Sequence, residues 1–343
     1  IVGGAQENTA ASVLGLRQKP DLELRLLSGP TTGPEGSLEP LFDPFPGLLQ
    51  IVPGLVRPIR PLTDFRTLAT LTRIFRAERP DIVHTHSGKA GVLGRLAARL
   101  AATPVVIHTI HGPSFGPFQG GIANATLSAA ERLAGRCTHH FVVVAHAMTR
   151  QYLAAGIGRP AQFTRIFSGF DLAPFLEPPP AAATRARFGF EPGHLVVGKI
   201  ARLVDLKGHA DLLAAAPELI RDLPQLRFFL VGDGPLRARF EAEIARLGLS
   251  RFFVFAGLLP PDNIPGALAA MDLLIHLSRR EGLPRALPQA LAAGRPVVAY
   301  DCDGANEVCL NGRTGYLVPP GNLTALRERI RLLAADPQLR EEL

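Results

Sequence analysis

The chain has few or none of several residue types that would indicate particular classes of protein. No tryptophan occurs among its 343 residues, and the arginines do not alternate with aromatic residues in a patch, so nucleic-acid binding is not expected. The only cysteines are Cys137, Cys302 and Cys309, without metal or redox spacing. Their odd number argues against a disulfide scaffold and is typical of a reducing, cytoplasmic compartment. No apolar run approaches the roughly 18 residues that a membrane span needs.

Lysine is also scarce, with only four, at positions 19, 89, 199 and 207. Lys and Arg together number 37 against 30 Asp and Glu, which gives a net charge of +7. This excess suits anionic partners, such as a nucleotide diphosphate or an anionic membrane leaflet, although a compositional preference for arginine would produce it equally well. The 47% hydrophobic content and the mean hydropathy of +0.17 are those of a globular protein.

Apolar segments of strand length alternate with helical segments along the chain. This order predicts parallel sheets with right-handed crossovers. We therefore expect an α/β protein with two Rossmann-like, doubly wound domains, residues 1–171 and 195–343, joined by a proline-rich linker over 172–194 and facing a cleft. Strands are predicted at 22–27, 81–85, 105–109, 140–144, 163–167, 195–202, 226–231, 252–255, 272–278 and 297–300. Helices are predicted at 62–77, 91–101, 125–133, 147–154, 209–222, 236–247 and 264–270.

The most informative local pattern lies in the last quarter of the chain. The apolar run 272–278 predicts a buried parallel strand, and Gly282 permits a tight turn after it. Pro288 restricts the next helix to a start near Arg285. Glu281 should therefore lie at the carboxyl edge of a parallel sheet, beside free backbone amides that favour phosphate.

Glu281 and the position eight residues later form a motif. It resembles the E-x7-E signature of the retaining glycosyltransferases with the GT-B fold, specifically family 4, the group 1 glycosyltransferases. The resemblance implies that Glu281, Gly282, Leu283 and Pro284 contact the donor sugar and its phosphates. The second acidic position, which holds the ribose hydroxyls in the family, is Gln289 here. An amide still bonds a ribose diol, but it loses a charge-assisted bond that is roughly twice as strong. The alternative is an ordinary strand, turn and helix with a surface glutamate.

The sequence between the predicted strand 195–202 and its helix continues the resemblance. In the family, the pattern Arg-x4-Lys-Gly clamps the donor diphosphate, which implies this role for Arg202 and Lys207, followed by Gly208. A guanidinium can hold two oxygens at once, and an ammonium neutralises the charge that develops on a leaving group. These side chains would act in place of a metal, and no cofactor is implied. Two solvated loop cations are the alternative.

Other segments of the second half also carry features of the family pattern. Gly232 begins a Gly-x-Gly sequence between a strand and a helix, which either lines the nucleotide pocket or only forms a tight turn. The resemblance implies that the stretch ending at Leu258 meets the base through its backbone. Residues 311–320 are predicted to form a hairpin or bend with a structural role.

Four histidines, at positions 84, 86, 108 and 111, stand near the ends of two predicted strands. His111 matches the family histidine beside the transferred sugar, whereas a lone histidine is more often structural. Zinc is an alternative for the group, but it lacks acidic or thiol partners, so we expect no metal. Ser87 and Lys89 begin the next helix, where they would meet an acceptor.

The start of the chain carries a further candidate. Gly3 and Gly4 open a helix where a first strand would end, and they would let the backbone approach the donor, as in the N-terminal loop of the family. A simple turn is the alternative. Because the chain begins at Ile1 and not at Met, we expect its true N-terminus, with any targeting segment, to lie upstream.

The resemblance implies transfer of a sugar from a nucleotide-diphosphate sugar to an acceptor hydroxyl with retention of configuration. Sugars, lipid-linked sugars or polysaccharides are the implied acceptors, with an anionic membrane as a peripheral partner. Two other classes stay open: a nucleotide-sugar 2-epimerase of GT-B type, and a non-catalytic nucleotide-sugar binder, which the glutamine at 289 would suit.

Overall fold

The computed structural model describes residues 4–31 and 36–343, which divide after Phe170 into two compact units. Each unit is an α/β structure built on parallel strands. In the first unit the helices are α1 (Gly4–Leu16), α2 (Pro61–Glu78), α3 (Gly88–Leu100), α4 (Gly121–Gly135) and α5 (His146–Ala154). Its strands are β1 (Leu26–Ser28), β2 (Leu49–Ile51), β3 (Ile82–His86), β4 (Val105–Ile110), β5 (His140–Val143) and β6 (Phe163–Arg165).

The first unit contains two separate sheets. Strands β3 to β6 form a four-stranded parallel sheet in chain order, as the alternating pattern predicts. Strands β1 and β2 pair in parallel with each other as a second sheet. The strand predicted at 22–27 is thus shorter and begins later, and β2 was not predicted. Three residues with a central polar Gln50 are too few to show a strand period.

The second unit contains helices α6 (Ala173–Leu176), α7 (Ala181–Arg187), α8 (His209–Asp222), α9 (Arg237–Arg246), α10 (Ile264–Ala269), α11 (Ala286–Ala292), α12 (Leu323–Ala335) and α13 (Pro337–Glu342). Its strands are β7 (Leu195–Ile200), β8 (Leu226–Val231), β9 (Phe253–Gly257), β10 (Leu273–His276), β11 (Val297–Tyr300) and β12 (Gly315–Val318). The six strands form one parallel sheet in the order β12-β11-β10-β7-β8-β9.

Two segments of the second unit differ from expectation. Residues 172–194, expected as a linker, carry α6 and α7, and Arg185 of α7 pairs with Asp272 at 2.8 Å. The hairpin or bend at 311–320 is instead a turn followed by β12, which pairs in parallel with β11. A hairpin would require antiparallel strands, whereas the chain here crosses over and returns in the direction of the sheet.

The order of strands places a switch point at β7. From β7 the chain moves outward through β8 and β9, and then returns to add β10 on the other side. The loops after β7 and β10 therefore leave the same edge in opposite directions, and ligands of open α/β sheets bind in the crevice between such loops. Strand β7 is buried and apolar except for Lys199, which is only 1% exposed.

The core of the first unit encloses an ion pair. The side chains of Arg95 on α3 and Glu131 on α4 are 0% and 1% exposed, and they pair at 2.6 Å. The Ser114 hydroxyl, in the loop after β4, donates to the other carboxylate oxygen of Glu131 at 2.9 Å. The pair therefore joins two helices to this loop. Removal of one partner would leave a buried charge uncompensated.

We predict that Glu131→Ala lowers the free energy of unfolding by about 3 kcal/mol, because it strands the Arg95 guanidinium in the core. Urea denaturation followed by circular dichroism measures the change. The matched control is Glu78→Ala, since Glu78 pairs with Arg25 at the surface with side chains 34% and 43% exposed. Its loss should cost less than about 1 kcal/mol. Equal effects of the two substitutions would contradict the prediction.

Candidate functional site

The turn after β7 carries the first residues of the candidate site. It contains Arg202, which is exposed, and ends at Lys207 and Gly208. Gly208 has a φ of 67°, and a Cβ atom there would lie 2.1 Å from the carbonyl oxygen of Leu277. Only glycine therefore allows this turn to pack against the end of β10. The close approach brings Lys207 to the loop that follows β10.

The central contact of the site is an ion pair between Lys207 Nζ and Glu281 Oε1. His276, the last residue of β10, lies with Nε2 3.2 Å from the same oxygen. The backbone N–H of Glu281 donates to Asp303 Oδ2 at 2.7 Å, which fixes the loop to the end of β11. Burial favours the neutral carboxyl, but His276 and Lys207 outweigh it and hold the pKa of Glu281 below its usual range. The site thus keeps an ionised carboxylate beside a cation.

A second group of bonds fixes the start of α8 to the same edge. The Arg279 guanidinium donates to both oxygens of Asp211, at 2.9 and 2.8 Å, and the Tyr300 hydroxyl donates to Oδ2 at 2.9 Å. The backbone N–H of Arg279 donates to the carbonyl of Leu206, within the turn that carries Lys207, at 2.9 Å. The turn after β7, helix α8 and the loop after β10 are therefore held together.

The residues predicted to meet the donor after Glu281 follow it directly. Gly282, Leu283 and Pro284 are buried, and α11 begins at Ala286, as Pro288 requires. Gln289 lies on the second turn of α11 and is partly buried. The start of helix α11 and the end of strand β10 thus lie close to where the sequence predicts them.

The Gly-x-Gly segment has a packing role. A Cβ atom on Gly232 would lie 2.2 Å from the carbonyl oxygen of Ala201, and one on Gly234 would lie 2.6 Å from that of Leu203. Both glycines allow the end of β8 to touch the turn that carries Arg202. Leu258, just after β9, is 49% exposed at the same edge of the sheet.

Three of the buried polar atoms at or near the ion pair have no hydrogen-bond partner among the residues that the structure describes. They are Nζ of Lys199 on β7, Nδ1 of His209, the first residue of α8, and Nε2 of His276, which lies within ion-pair distance of Glu281 but without hydrogen-bond geometry. Burial, followed by repulsion from Lys207, lowers the pKa of Lys199 to about 7, against attraction from Glu281 and Asp211. Burial and the two lysines lower the pKa of His209 to about 3.

In the first unit, three of the four candidate histidines, His84, His86 and His111, lie together. His86 Nδ1 and His111 Nε2 share a hydrogen bond of 3.0 Å, and the ring of His84 stacks on that of His86 at 4.5 Å. Burial, with repulsion between the rings, lowers the pKa of His86 to about 3 and that of His111 to about 4. Both rings are therefore neutral at pH 7, and one N–H serves the bond between them. His108 is separate, because it is buried and bonded to Thr85 at 2.8 Å.

The remaining candidates of the first unit lie at the starts of helices. Ser87 precedes α3 with a φ of 65°, and Lys89 pairs with Asp64 and donates to the carbonyl of Pro58 at 2.6 Å. Lys89 thus joins α3 to α2. Gly4 is the first residue of α1, and Gly3 lies outside the described residues.

Several residues of the site were not predicted from the sequence. His276 and Lys199 are polar residues within apolar strands, and such an interruption is the sequence signal that marks them. Asp211 and Tyr300 were not identified, because their positions beside the site depend on which strands are neighbours. Within residues 4–31 and 36–343, no group of three or more His, Cys, Asp or Glu side chains is arranged to hold a metal ion. No helix in this part of the chain is both long and apolar enough to cross a membrane.

Known structures resemble nearly the whole chain, and family models match a large part of each unit. Among solved structures, HepE from Anabaena in complex with UDP and glucose has a TM-score of 0.82 at 26% identity, covering 99% of this chain and 89% of that one. Two parallel-sheet α/β units of this kind are those of the GT-B glycosyltransferase fold. The model for group 1 glycosyl transferases matches residues 181–343, and that for a glycosyl transferase 4-like domain matches residues 3–167.

Relatives of assigned activity extend over most of the chain. The 2-deoxystreptamine glucosyltransferase of Streptomyces kanamyceticus is 30% identical over 86% of this chain and 78% of its own length. The UDP-Gal:alpha-D-GlcNAc-diphosphoundecaprenol alpha-1,3-galactosyltransferase of Escherichia coli is 29% identical over 78% of this chain and 70% of its own length. The chain belongs to the group 1 glycosyltransferases. Glycosyl transfer from a nucleotide-sugar donor is the activity that this membership supports, and it does not favour an epimerase or a non-catalytic binder.

Proposed function

We propose that this protein transfers a hexose from a nucleotide-diphosphate sugar to an acceptor hydroxyl with retention of configuration. The observation that carries the proposal is the Lys207–Glu281 pair at the switch point of the sheet, with Arg202 in the same turn. A diphosphate is bound by cations, and a sugar hydroxyl is bound by a fixed hydrogen-bond acceptor. This edge of the sheet contains both kinds of group. The donor diphosphate takes the Lys207 ammonium and the Arg202 guanidinium, which stabilise the charge of the leaving group.

The other candidates take the roles that the family resemblance gives them. Glu281 accepts hydrogen bonds from sugar hydroxyls, and Gln289 bonds the ribose. His111 contacts the transferred sugar through the ring nitrogen that His86 leaves available. We assign the path of the donor to the backbone at Gly4, Gly232, Leu258, Gly282, Leu283 and Pro284.

Retention follows from a front-face displacement. Glu281 holds its charge against Lys207 and His276, so we assign it to orientation and not to attack on the sugar. The acceptor hydroxyl then approaches from the side of the departing phosphate, and a phosphate oxygen takes its proton. The bond from the anomeric carbon to the diphosphate breaks as the bond to the acceptor oxygen forms.

The donor base is open, and the UDP complex of HepE makes UDP the first nucleotide to test. The donor panel comprises UDP, GDP, ADP and dTDP with their glucose, galactose, mannose and N-acetylglucosamine forms. A bound nucleotide should raise the melting temperature, since it binds the folded state. Slow hydrolysis or transfer of the labelled donor supports a transferase. Formation of an epimer, or binding with no turnover at all, would contradict it.

Lys207→Ala should lower kcat by roughly a hundred- to a thousandfold, because it removes a cation from the developing diphosphate charge. The measurement is release of the nucleoside diphosphate from the labelled donor, with circular dichroism to confirm that the variant folds. Lys19→Ala is the control, since Lys19 is an exposed lysine far along the chain from the site. Turnover that Lys207→Ala retains would remove this residue from the mechanism.

Gln289→Glu should tighten donor binding about fivefold, because a carboxylate makes a stronger bond to a ribose hydroxyl than an amide, by roughly 1 kcal/mol. Isothermal titration with the nucleoside diphosphate measures the change. Gln18→Glu, at an exposed position of the first unit, adds the same charge away from the site. Unchanged affinity in Gln289→Glu, or an equal gain in both variants, would count against the ribose assignment.

The acceptor is proposed to be a sugar, free, polymeric or lipid-linked, and the start of α2 supports contact with an anionic membrane. Ile59, Leu62 and Phe65 are 66%, 78% and 72% exposed. The exposed arginines at 57, 60, 66 and 73 surround them. The two acidic residues of α2 are paired with Lys89 and Arg25. Apolar groups within uncompensated positive charge suit the surface of an anionic bilayer.

The protein should sediment with vesicles of phosphatidylglycerol and phosphatidylcholine, less with phosphatidylcholine alone, and less at high salt. Leu62→Asp with Phe65→Asp should weaken this binding severalfold, because it places negative charge at the contact. Leu310→Asp, at an exposed position of the second unit, should not. Sedimentation that is the same with both vesicle types would contradict membrane contact through charge.

A further inference from the structure

Lys199 is a buried amine in a place where the fold does not need one. It lies on β7, level with Leu230 of β8, and shares its face of the sheet with the apolar core beneath α8. Its Nζ has no hydrogen-bond partner among the described residues. Burial of an unpaired amine costs free energy, and an apolar side chain of similar size would pack there without that cost.

The carboxylates near Lys199 are already occupied. Asp211 receives two bonds from Arg279 and one from Tyr300, and Glu281 is paired with Lys207. Lys199 interacts with both carboxylates through the electrostatic field alone. It is therefore an amine that titrates near neutral pH beside an ion pair that is already complete.

Binding of the donor changes this balance. Under the proposed function, the diphosphate takes the ammonium of Lys207, which is the cation that now neutralises Glu281. The largely buried carboxylate, whose side chain is 17% exposed, would then need another positive charge to stay ionised and in position for the sugar. His276 is a poor replacement, since its own burial favours the neutral ring.

We propose that Lys199 is a positioning residue that takes over as the counter-ion of Glu281 when the donor diphosphate draws Lys207 away. The inference rests on the proposed role of Lys207 in donor binding. It explains why a costly unpaired amine stands in an apolar strand. Lys199 acts through Glu281 and does not touch the donor.

This replacement of Lys207 by Lys199 as the counter-ion of Glu281 makes donor affinity depend on pH. In the free protein the pKa of Lys199 is about 7, and the diphosphate, together with the release of Glu281, raises it. Binding then takes up a proton at pH 8, and affinity is highest below pH 7. It falls as pH rises above 7, by up to roughly tenfold per unit, until the pKa of the bound state is reached.

In the free protein, three of the other groups that face Lys199 keep their charge state across this range of pH. Burial keeps the pKa of His209 at about 3 and that of His276 below its usual value, so both rings are neutral from pH 7 to 9. Glu281 is ionised throughout, because its pKa is lowered. The groups facing Lys199 are Lys207 in the turn after β7, His209 and Asp211 on α8, His276 on β10 and Glu281 in the loop after it.

The test is Lys199→Met, with the diphosphate from the panel that binds best. Donor affinity and kcat/KM should fall roughly ten- to hundredfold at pH 7, because Glu281 loses its position. The slope of affinity against pH between 7 and 9 should disappear. The melting temperature of Lys199→Met should be higher than that of the unaltered protein. The difference should be largest at pH 6, since Lys199 is protonated there and the variant has no buried ammonium. Leu230→Met, a buried change of similar size on the neighbouring strand, should alter none of these.

A double-mutant cycle isolates the contact with Glu281. In Glu281→Gln the carboxylate charge is gone, so Lys199→Met should have no further effect on affinity there. Equal effects in both backgrounds would overturn the proposal. So would wild-type affinity in Lys199→Met, or a lower melting temperature with lower affinity, which would indicate a residue that only supports the fold.

Calorimetry of the unaltered protein tests the same idea without a variant. Titration at pH 8 in two buffers of different ionisation enthalpy should show uptake of close to one proton per diphosphate bound. No uptake would overturn the role of Lys199. Lys207→Ala separates this inference from the proposed function: if that variant binds the diphosphate normally, the proposed function itself fails. If it loses binding while Lys199→Met does not, only the inference about Lys199 fails.

Discussion

One ion pair, Lys207 with Glu281, governs the arrangement of the second unit's edge. A carboxylate that is largely removed from water stays ionised only where positive charge and hydrogen bonds offset its lost hydration. The offset here comes from Lys207, from His276 at 3.2 Å and from the field of Lys199. The contact of Gly208 with Leu277 brings the two partners together, because it leaves no room for a side chain between the turn and β10. The chemistry of the edge therefore depends on backbone packing as much as on the charged residues.

The strand order explains why this pair forms at β7 and β10. These two strands are neighbours in space although 72 residues separate the end of one from the start of the other. The chain leaves β7 toward β8 and leaves β10 toward β11, so the two loops diverge and both partners lie at this edge of the sheet. The bonds from Arg279 to Asp211 and to Leu206 fix the loops once they have diverged. A cationic site with fixed backbone is the result.

Most of the fold of the second unit could be predicted from its sequence, because buried parallel strands and amphipathic helices of normal length have clear periods. The bounds of α8 were predicted correctly at 209–222, and those of β8 at 226–231. The short strands β1 and β2 lack enough residues for a period, and β12 was mistaken for part of a hairpin or bend because turn residues precede it.

In the site, Glu281 and Lys207 could be found from motif and turn chemistry. Asp211 and Tyr300 could not, since they reach the site only through the order of the strands.

The two units offer different chemistry to a ligand. In the first unit, the His86–His111 pair is neutral at pH 7, because burial lowers both pKa values to about 3 and 4. Such a pair can donate or accept a hydrogen bond but gives little attraction to a phosphate. In the second unit, the turn after β7 carries two cations, and the buried Lys199 adds charge behind them. A neutral ligand suits the first arrangement and an anionic ligand suits the second, since each is best held by groups that match its charge.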